Sequence, residues 1–353
     1  MEVCVITFHD AKNYGAALQA YALIKYLNNQ GVNAKIIDLS EEKGRNVGYR
    51  QRISEILNSV LYYMHKDELS TLNSRFINFV SEEIPLTRHY NNPDELSDSP
   101  PEADLYICGS DQIWNCSSGL RECYFLNFGI AKKISYAASI GVNYIPDGYQ
   151  KRIKELLQNF EAVSVREESA KELLEPLYNK KCVVSVDPTF LLSRDEWDEL
   201  IDEPIIKERY LIYYPLHRSK LAINHLEQLK KKLSAKVVTI TTSPLPVYGD
   251  IVIRNAGPLE FLNLYKYAVY TVNASFHGTV FSIIFEKPFN TQIYGQSGGR
   301  VSNLLGKCGL SERIFTDDEY PKDNSENINY KKVKEKIEKD IKNSKKYLLE
   351  HIL

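Results

Sequence analysis

The chain carries no surplus of positive charge: 44 Lys and Arg stand against 46 Asp and Glu, a formal net charge of -2. Without a basic field a polyanion has nothing to hold it non-specifically, so no nucleic-acid partner is expected. No stretch approaches the ~20 apolar residues that span a bilayer. The amino terminus, MEVCVITFHD, lacks the basic region that precedes the apolar core of a secretory signal. These absences lead to the expectation of a cytoplasmic protein. Six cysteines (Cys4, Cys108, Cys116, Cys123, Cys182 and Cys308) form no CxxC pair. A cytosolic chain of this length does not need disulfides, so they read as free thiols. His65, His89, His217, His225 and His351 have no partner at ligand spacing, and no metal site is expected. The Gly-rich dinucleotide fingerprint is missing from the first strand-to-helix turn, which disfavours NAD or FAD.

What is present is alternation. The 353 residues suit about two domains, and 43% apolar with 25% charged residues fits a soluble globular chain. A strand over 3–8, a polar loop, a helix from Gly15 to about Gln30 and a strand over 33–39 make a βαβ unit. Helices are expected near 51–64 and 67–82, then an irregular stretch rich in Pro and Asp. Strands follow over 105–108, 134–138, 162–165 and 183–186, with helices near 147–159 and 168–177. After a link at about 192–208 the pattern repeats. Strands lie over 210–214, 237–240, 251–253 and 268–272, and helices over 219–233, 258–266, 278–285, 301–307 and 329–350. The fold class is therefore α/β, with two Rossmann-like domains facing a cleft. Residues 1–195 form the first and 205–325 the second, and a helix in 326–353 packs across them.

In an open parallel sheet, ligands bind beyond the carboxyl ends of the strands. Three cationic candidates fall there. In Ser275-Phe276-His277-Gly278 a strand hands over to a helix, so backbone N–H groups and the positive helix end point at the crevice. Phosphate is the natural occupant, and the His277 imidazole can donate a hydrogen bond or a proton near neutrality. Arg166 follows the apolar strand Ala162-Val163-Ser164-Val165 directly and is able to grip a phosphate or carboxylate with two hydrogen bonds. Arg300 follows Gly298-Gly299, which lets the backbone approach a ligand. On the acceptor side, the loop from His9 to Gly15, with Asp10, Asn13 and Tyr14, offers polar groups to a sugar. The run Gly109-Ser110-Asp111-Gln112-Ile113-Trp114 offers a carboxylate, an amide and an aromatic face together; equally, Asp111 suits a helix cap.

Taken in order, TFHDAKNYGAALQAYAL, ADLYICGSDQIWN, KKISYAASIG, VSVREESAKELL, DPTFLL, GPLEFL, ASFHGTVFSIIFEKPF and the Arg300 segment resemble the polysaccharide pyruvyl transferase family over about residues 1–315. The resemblance implies a fold like the GT-B glycosyltransferases. It also implies phosphoenolpyruvate as co-substrate, without a cofactor, and as acceptor a sugar of a surface polysaccharide (exopolysaccharide) or a lipid-linked oligosaccharide. The product is then a pyruvate ketal. The family's donor pocket uses arginine and histidine, which fall on Arg166 and His277, with Ser275 and Gly278 beside them. In the mechanism this implies, His277 is the acid or phosphate clamp and Asp111, or second Asp10, is the base; Asn13, Tyr14, Ser110, Gln112 and Trp114 face the acceptor. Some members carry an arginine two residues before the histidine, where this chain has Ser275, and others an acidic residue three before, where it has Ala274. Arg300 or Lys287 is expected to replace that charge. The competing expectations are a GT-B glycosyltransferase using a nucleotide sugar and a non-catalytic binding protein of a polysaccharide assembly cluster. The Lys-rich terminal helix suggests either a solvated strut across the domains or a peripheral contact with the inner face of the cell membrane.

Overall fold

The structure is a computed structural model that describes residues 1–40, 61–294, 298–323 and 325–353. In the first half, β1 (Glu2–Ile6), β2 (Asn33–Leu39), β3 (Leu86–Tyr90), β4 (Leu105–Cys108) and β5 (Lys132–Ser135) form a sheet in the order β3-β2-β1-β4-β5, every pair parallel. Two further parallel strands, β6 (Val163–Val165) and β7 (Cys182–Val184), extend it through single bridges from Ile134 to Ala162 and from Ala138 to Val165. The second half contains β8 (Tyr210–Tyr214), β9 (Lys236–Ile240), β10 (Ile251–Ile253), β11 (Tyr270–Asn273), β12 (Phe289–Gln292) and β13 (Ile314–Phe315). Their order is β10-β9-β8-β11-β12-β13, again all parallel. Each order reverses direction at the first strand of its half, the point where open α/β sheets bind ligands.

The longer helices are those the apolar periodicity predicts, with shifted ends, and two short ones, over 93–98 and 194–198, were not anticipated. In the first half they are α1 (Tyr14–Asn29), α2 (Lys66–Glu83), α3 (Pro93–Asp98), α4 (Asp147–Leu157), α5 (Glu168–Tyr178) and α6 (Arg194–Asp198). The second half adds α7 (Lys220–Leu233), α8 (Pro258–Tyr267), α9 (Phe276–Ile284) and α10 (Gly299–Cys308), and α11 (Tyr330–Ile352) ends the chain. The helix expected near 51–64 falls largely outside the described residues. The stretch expected to be irregular holds β3 and α3. The sequence LTRHY hides β3 because it is an edge strand that buries only Tyr90, and its pairing comes from β2. The strand expected over 134–138 ends at Ser135, because Ala137 takes φ +50, in the left-handed region that a strand does not use. The short strands β12 and β13 were not anticipated as strands; β12 lies inside the sheet and β13 forms its edge.

The two halves share one hydrophobic core. Tyr14, at the start of α1, stacks on Phe261 of α8 with ring centroids 4.4 Å apart and donates its hydroxyl to the Ala256 carbonyl at 2.9 Å. Trp197 of α6 meets Phe281 of α9 edge-on at 5.1 Å. Aromatic pairs of this kind add about 0.5–1.5 kcal/mol each beyond the area they bury. Helix α11 runs against both halves. Its Tyr347 hydroxyl donates to the Ser135 carbonyl and its Ser344 hydroxyl accepts the Val186 N–H. At the other end Tyr330 donates to the Lys287 carbonyl, and Lys307 pairs with Asp340. The buried stripe of α11 is Val333, Ile337, Ser344, Tyr347, Leu348 and Ile352. Among the described residues no helix is long and apolar enough to cross a membrane.

Candidate active site

The β11–α9 turn and the ends of β6 and β7 come together between the domains. Ser275 caps α9, its hydroxyl accepting the Gly278 N–H at 3.3 Å. Gly278 is small for packing reasons: a Cβ there would stand 2.7 Å from the Tyr265 hydroxyl and 3.1 Å from Asn273. The Gly278 N–H is used within the turn by the Ser275 cap, which corrects the expectation that it binds the donor, while the Ser275 hydroxyl keeps its own proton to donate. Phe276 and His277 follow on the first turn of α9, on the cleft side.

Arg166 emerges at the end of β6, with its side chain only 3% exposed. Its Nη1 donates to Asp187 Oδ2 at 2.7 Å, Nη2 stands 3.7 Å from Asp111 Oδ1, and Nε stands 3.9 Å from Glu167 Oε2. Nε and Nη2 have no hydrogen-bond partner. His277, a residue of the other domain, places Nε2 3.3 Å from the same Asp187 Oδ2, close enough to pair but out of line for a hydrogen bond. The guanidinium groups of Arg166 and Arg300 both face the Phe276 ring, 4.7 and 5.6 Å from its centroid. Burial pulls Arg300 down to about 10 and the nearby Arg166 acts in the same sense, against the opposing pull of Asp111, Glu167 and Asp187. Burial alone would raise the Asp187 carboxyl, but His277, Arg166 and Thr189 outweigh it and hold it well below the usual carboxylate range.

Sequence reasoning marks Asp187 and Glu167 as polar strand ends, and Glu167 as a candidate ion-pair partner of Arg166, but gives neither a role in the site. Asp187 Oδ1 accepts both the N–H and the hydroxyl of Thr189, at 3.1 and 2.7 Å, and its side chain is fully buried. Glu167 Oε1 accepts from the Ser139 hydroxyl at 2.7 Å and the Ile140 N–H at 3.1 Å, while Oε2 is buried without a partner. The signal was available in part, since Asp187-Pro188 and Arg166-Glu167 both close apolar strands. Only the tertiary structure shows that they meet.

Gly15 fits the first domain to this cluster. A Cβ at Gly15 would stand 1.9 Å from His277 Nδ1, so only glycine lets α1 approach the imidazole so closely. Asn13 caps α1, its Oδ1 accepting from Gly15 N at 2.9 Å and Ala16 N at 3.3 Å. Asp10 is exposed in the loop before it. Asp111 sits in the left-handed region at φ +77, with its carboxylate turned toward Arg166 and toward its neighbour's N–H.

Four expected contacts are overturned by burial or distance. Trp114 is enclosed, stacked on Phe125 at 4.9 Å with its indole N–H given to the Tyr124 carbonyl, and has no face for a sugar. Tyr14 is the interdomain pillar described above. Ser110 is fully buried and donates to the Ala137 carbonyl. Lys287 lies beyond the far end of α9 from His277, among Arg194, Asp198, Glu286 and Lys266; burial, with Arg194, pulls it down to about 8. It cannot take the place of a cation beside Ser275. Gln112 turns its amide over Gly141 and toward Asn115.

One hollow borders the cluster and a larger one lies in the second domain, lined by none of the cluster's residues. A cavity of about 40 Å³ is lined by Arg166, Asp187, Phe276, Arg300, Lys307 and Asp340. A groove of about 570 Å³ follows the carboxyl ends of β8 and β9, past Tyr214, His217, Arg218, Thr242, Leu245 and Tyr248.

Two parallel-sheet domains with a ligand cluster at their junction define the GT-B type of enzyme fold. Trehalose-6-phosphate synthase OtsA has this fold and superposes with a TM-score of 0.54 at 10% identity, over 100% of this chain and 99% of that one. The UDP-GlcNAc 2-epimerase of Neisseria meningitidis, bound to UDP-GlcNAc, is similar at TM-score 0.48 and 12% identity, over 99% of each chain. At these identities the likeness concerns the fold alone. No curated protein matches the chain. The model of the polysaccharide pyruvyl transferase family matches residues 13–291, most of the chain, and the protein belongs to that family.

Proposed function

We propose that the protein transfers the pyruvyl group of phosphoenolpyruvate to a sugar of a surface polysaccharide or its lipid-linked precursor. The observation that carries this is the set of unsatisfied donors in the cluster. Arg166 Nε and Nη2 and His277 Nε2 are buried without hydrogen bonds, and Arg300 shares the Phe276 ring with Arg166. Leaving buried charged donors unpaired costs several kcal/mol in total, and an anion with several acceptor oxygens removes that cost. Phosphoenolpyruvate carries both a carboxylate and a phosphate. The existing cavity has room for water rather than for such an anion, so donor entry requires the domains to part around Asp187 and Gly15.

In this reading His277 is the acid that delivers a proton to the donor methylene carbon. A sugar hydroxyl attacks the cationic C2 that results, giving its proton to Asp111. The C2–O bond to phosphate breaks, and a second hydroxyl of the same sugar closes the ketal. Of the two hydroxyl protons lost, one makes good the proton given to the methylene and the other leaves with phosphate. Arg166 and Arg300 stabilise the departing phosphate, an electrostatic role of the kind that usually supplies the largest part of catalysis. The acceptor has space in the groove that begins at Tyr214, which packs edge-on against Tyr14 next to Gly15.

The test is phosphate release from phosphoenolpyruvate with a panel of free and lipid-linked sugars, read by mass for the ketal. His277→Ala should abolish release; an unchanged rate removes His277 from the chemistry. Thermal stabilisation by UDP- or GDP-sugars and not by phosphoenolpyruvate would instead make the protein a nucleotide-sugar enzyme.

A further inference from the structure

Asp187 is the one described residue whose carboxylate contacts cationic groups of both domains in the cluster. It belongs to the first domain, and through a single oxygen, Oδ2, it holds Arg166 of its own domain at 2.7 Å and meets His277 of the other at 3.3 Å. Its second oxygen is fixed by the N–H and hydroxyl of Thr189. The carboxylate therefore has no freedom to rotate, and an imidazole that pairs with it is held in one orientation. On the opposite side the ring is confined by Gly15, which leaves no room for a Cβ beside Nδ1.

We propose that Asp187 is the positioning residue for His277: its carboxylate charge, 3.3 Å from Nε2, favours a proton on that nitrogen and so sets the ring's tautomer and tilt, and it does so only when the two domains are closed on each other. Arg166 is anchored by the same oxygen, so closing the domains sets both donor-facing side chains at once. An alternative role exists, because Asp187 also caps the short 3-10 turn Pro188–Leu191 through Thr189 N. The two roles separate cleanly by substitution. Asparagine caps a turn as well as aspartate does, whereas its amide carries no charge to hold an imidazole N–H.

The experiment compares Asp187→Asn and Thr189→Val with the wild-type chain. Long-range 1H–15N spectra of the His277 ring are recorded, with His277→Gln used to assign the signals, and phosphoenolpyruvate affinity is measured by calorimetry. The wild type should show a single Nε2–H tautomer; Asp187→Asn should show mixed tautomers, with a melting temperature lowered by the loss of the buried pair with Arg166. Thr189→Val removes the hydroxyl bond but keeps the N–H bond, so it loosens the carboxylate without removing its charge and should give a partial version of the same change. Removing an outer partner costs about 10–100-fold in activity at metal-bound histidines, and the same range is expected for a histidine held by charge. With an acceptor in hand, Asp187→Asn should therefore lower kcat by that factor while KM for the donor does not rise, since a negative charge near the anion has been removed. An unchanged His277 spectrum in Asp187→Asn overturns the proposal, as does a rise in KM at constant kcat. If Asp187→Asn does not fold, the Thr189→Val spectrum decides on the same criterion. The turnover arm rests on the pyruvyl-transfer reading and the spectra do not, so a wild type that fails to bind phosphoenolpyruvate defeats that reading alone.

Discussion

Replacing Gly15 with alanine places a methyl group 1.9 Å from His277 Nδ1, 2.5 Å from Cγ and 2.6 Å from Cε1. An ordinary contact between such atoms is about 3.5–4.0 Å, so the imidazole or α1 must retreat by more than 1 Å. Neither can do so freely. The ring is 9% exposed and faces Asp187, and α1 is pinned one residue earlier by the Tyr14 stack on Phe261. Forcing an extra methyl into a packed site costs about 1–3 kcal/mol. The gain in helix propensity of Ala over Gly, at most about 1 kcal/mol in a helix interior, is smaller still on the first turn. The clash wins. Gly15→Ala should lower the melting temperature by several degrees, at roughly 2–4 °C per kcal/mol. Donor turnover should fall about 100-fold, the usual consequence of misplacing a reacting group by 1 Å. Differential scanning calorimetry and the phosphate-release assay read the two effects. A variant that melts and turns over like the wild type would show that α1 and His277 do not meet as described, and the closed arrangement of the domains would have to be abandoned.

Three further outcomes test other parts of the structure. The Asp187 carboxyl is held below its unfolded value of about 3.9, so the unfolded chain binds more protons than the native one near and below that pH, and stability rises with pH there. Its contribution is complete above about pH 5 and is lost as the pH falls toward the native value. The fall in melting temperature below about pH 4 should therefore be shallower in Asp187→Asn. Trp114→Ala should cost about 3–5 kcal/mol in a denaturant melt, as for any enclosed aromatic, with no change in acceptor KM for the protein that remains folded; a raised KM at full stability would restore Trp114 as a sugar platform. Lys287→Met should leave phosphoenolpyruvate affinity unchanged by calorimetry, because Lys287 lies past the far end of α9; a tenfold loss would place it back in the donor site.

By itself the sequence determined the alternation of strands and helices, because continuous apolar runs such as VCVI and helical stripes such as that of α1 have only one economical burial, inside parallel sheets covered by helices. It also placed Arg166, His277 and Asp111 at strand ends, since the residue after an apolar run must leave the sheet at its carboxyl edge. Edge strands escaped it: β3 and β13 bury little, and their pairing energy comes from a neighbour far along the chain. Tertiary structure alone decided which strand ends share a site. Asp187 and Glu167 look like ordinary polar residues until folding sets them around Arg166. Tyr14, Ser110 and Trp114 share motifs with site residues, yet the same local runs turn them into the core. Gly15 looks like a routine helix start, and its meaning appears only when the second domain brings His277 to within a methyl group of it. Local patterns specify how a residue leaves its own element; what it then meets depends on contacts between separate elements, for which a single sequence carries no local signal.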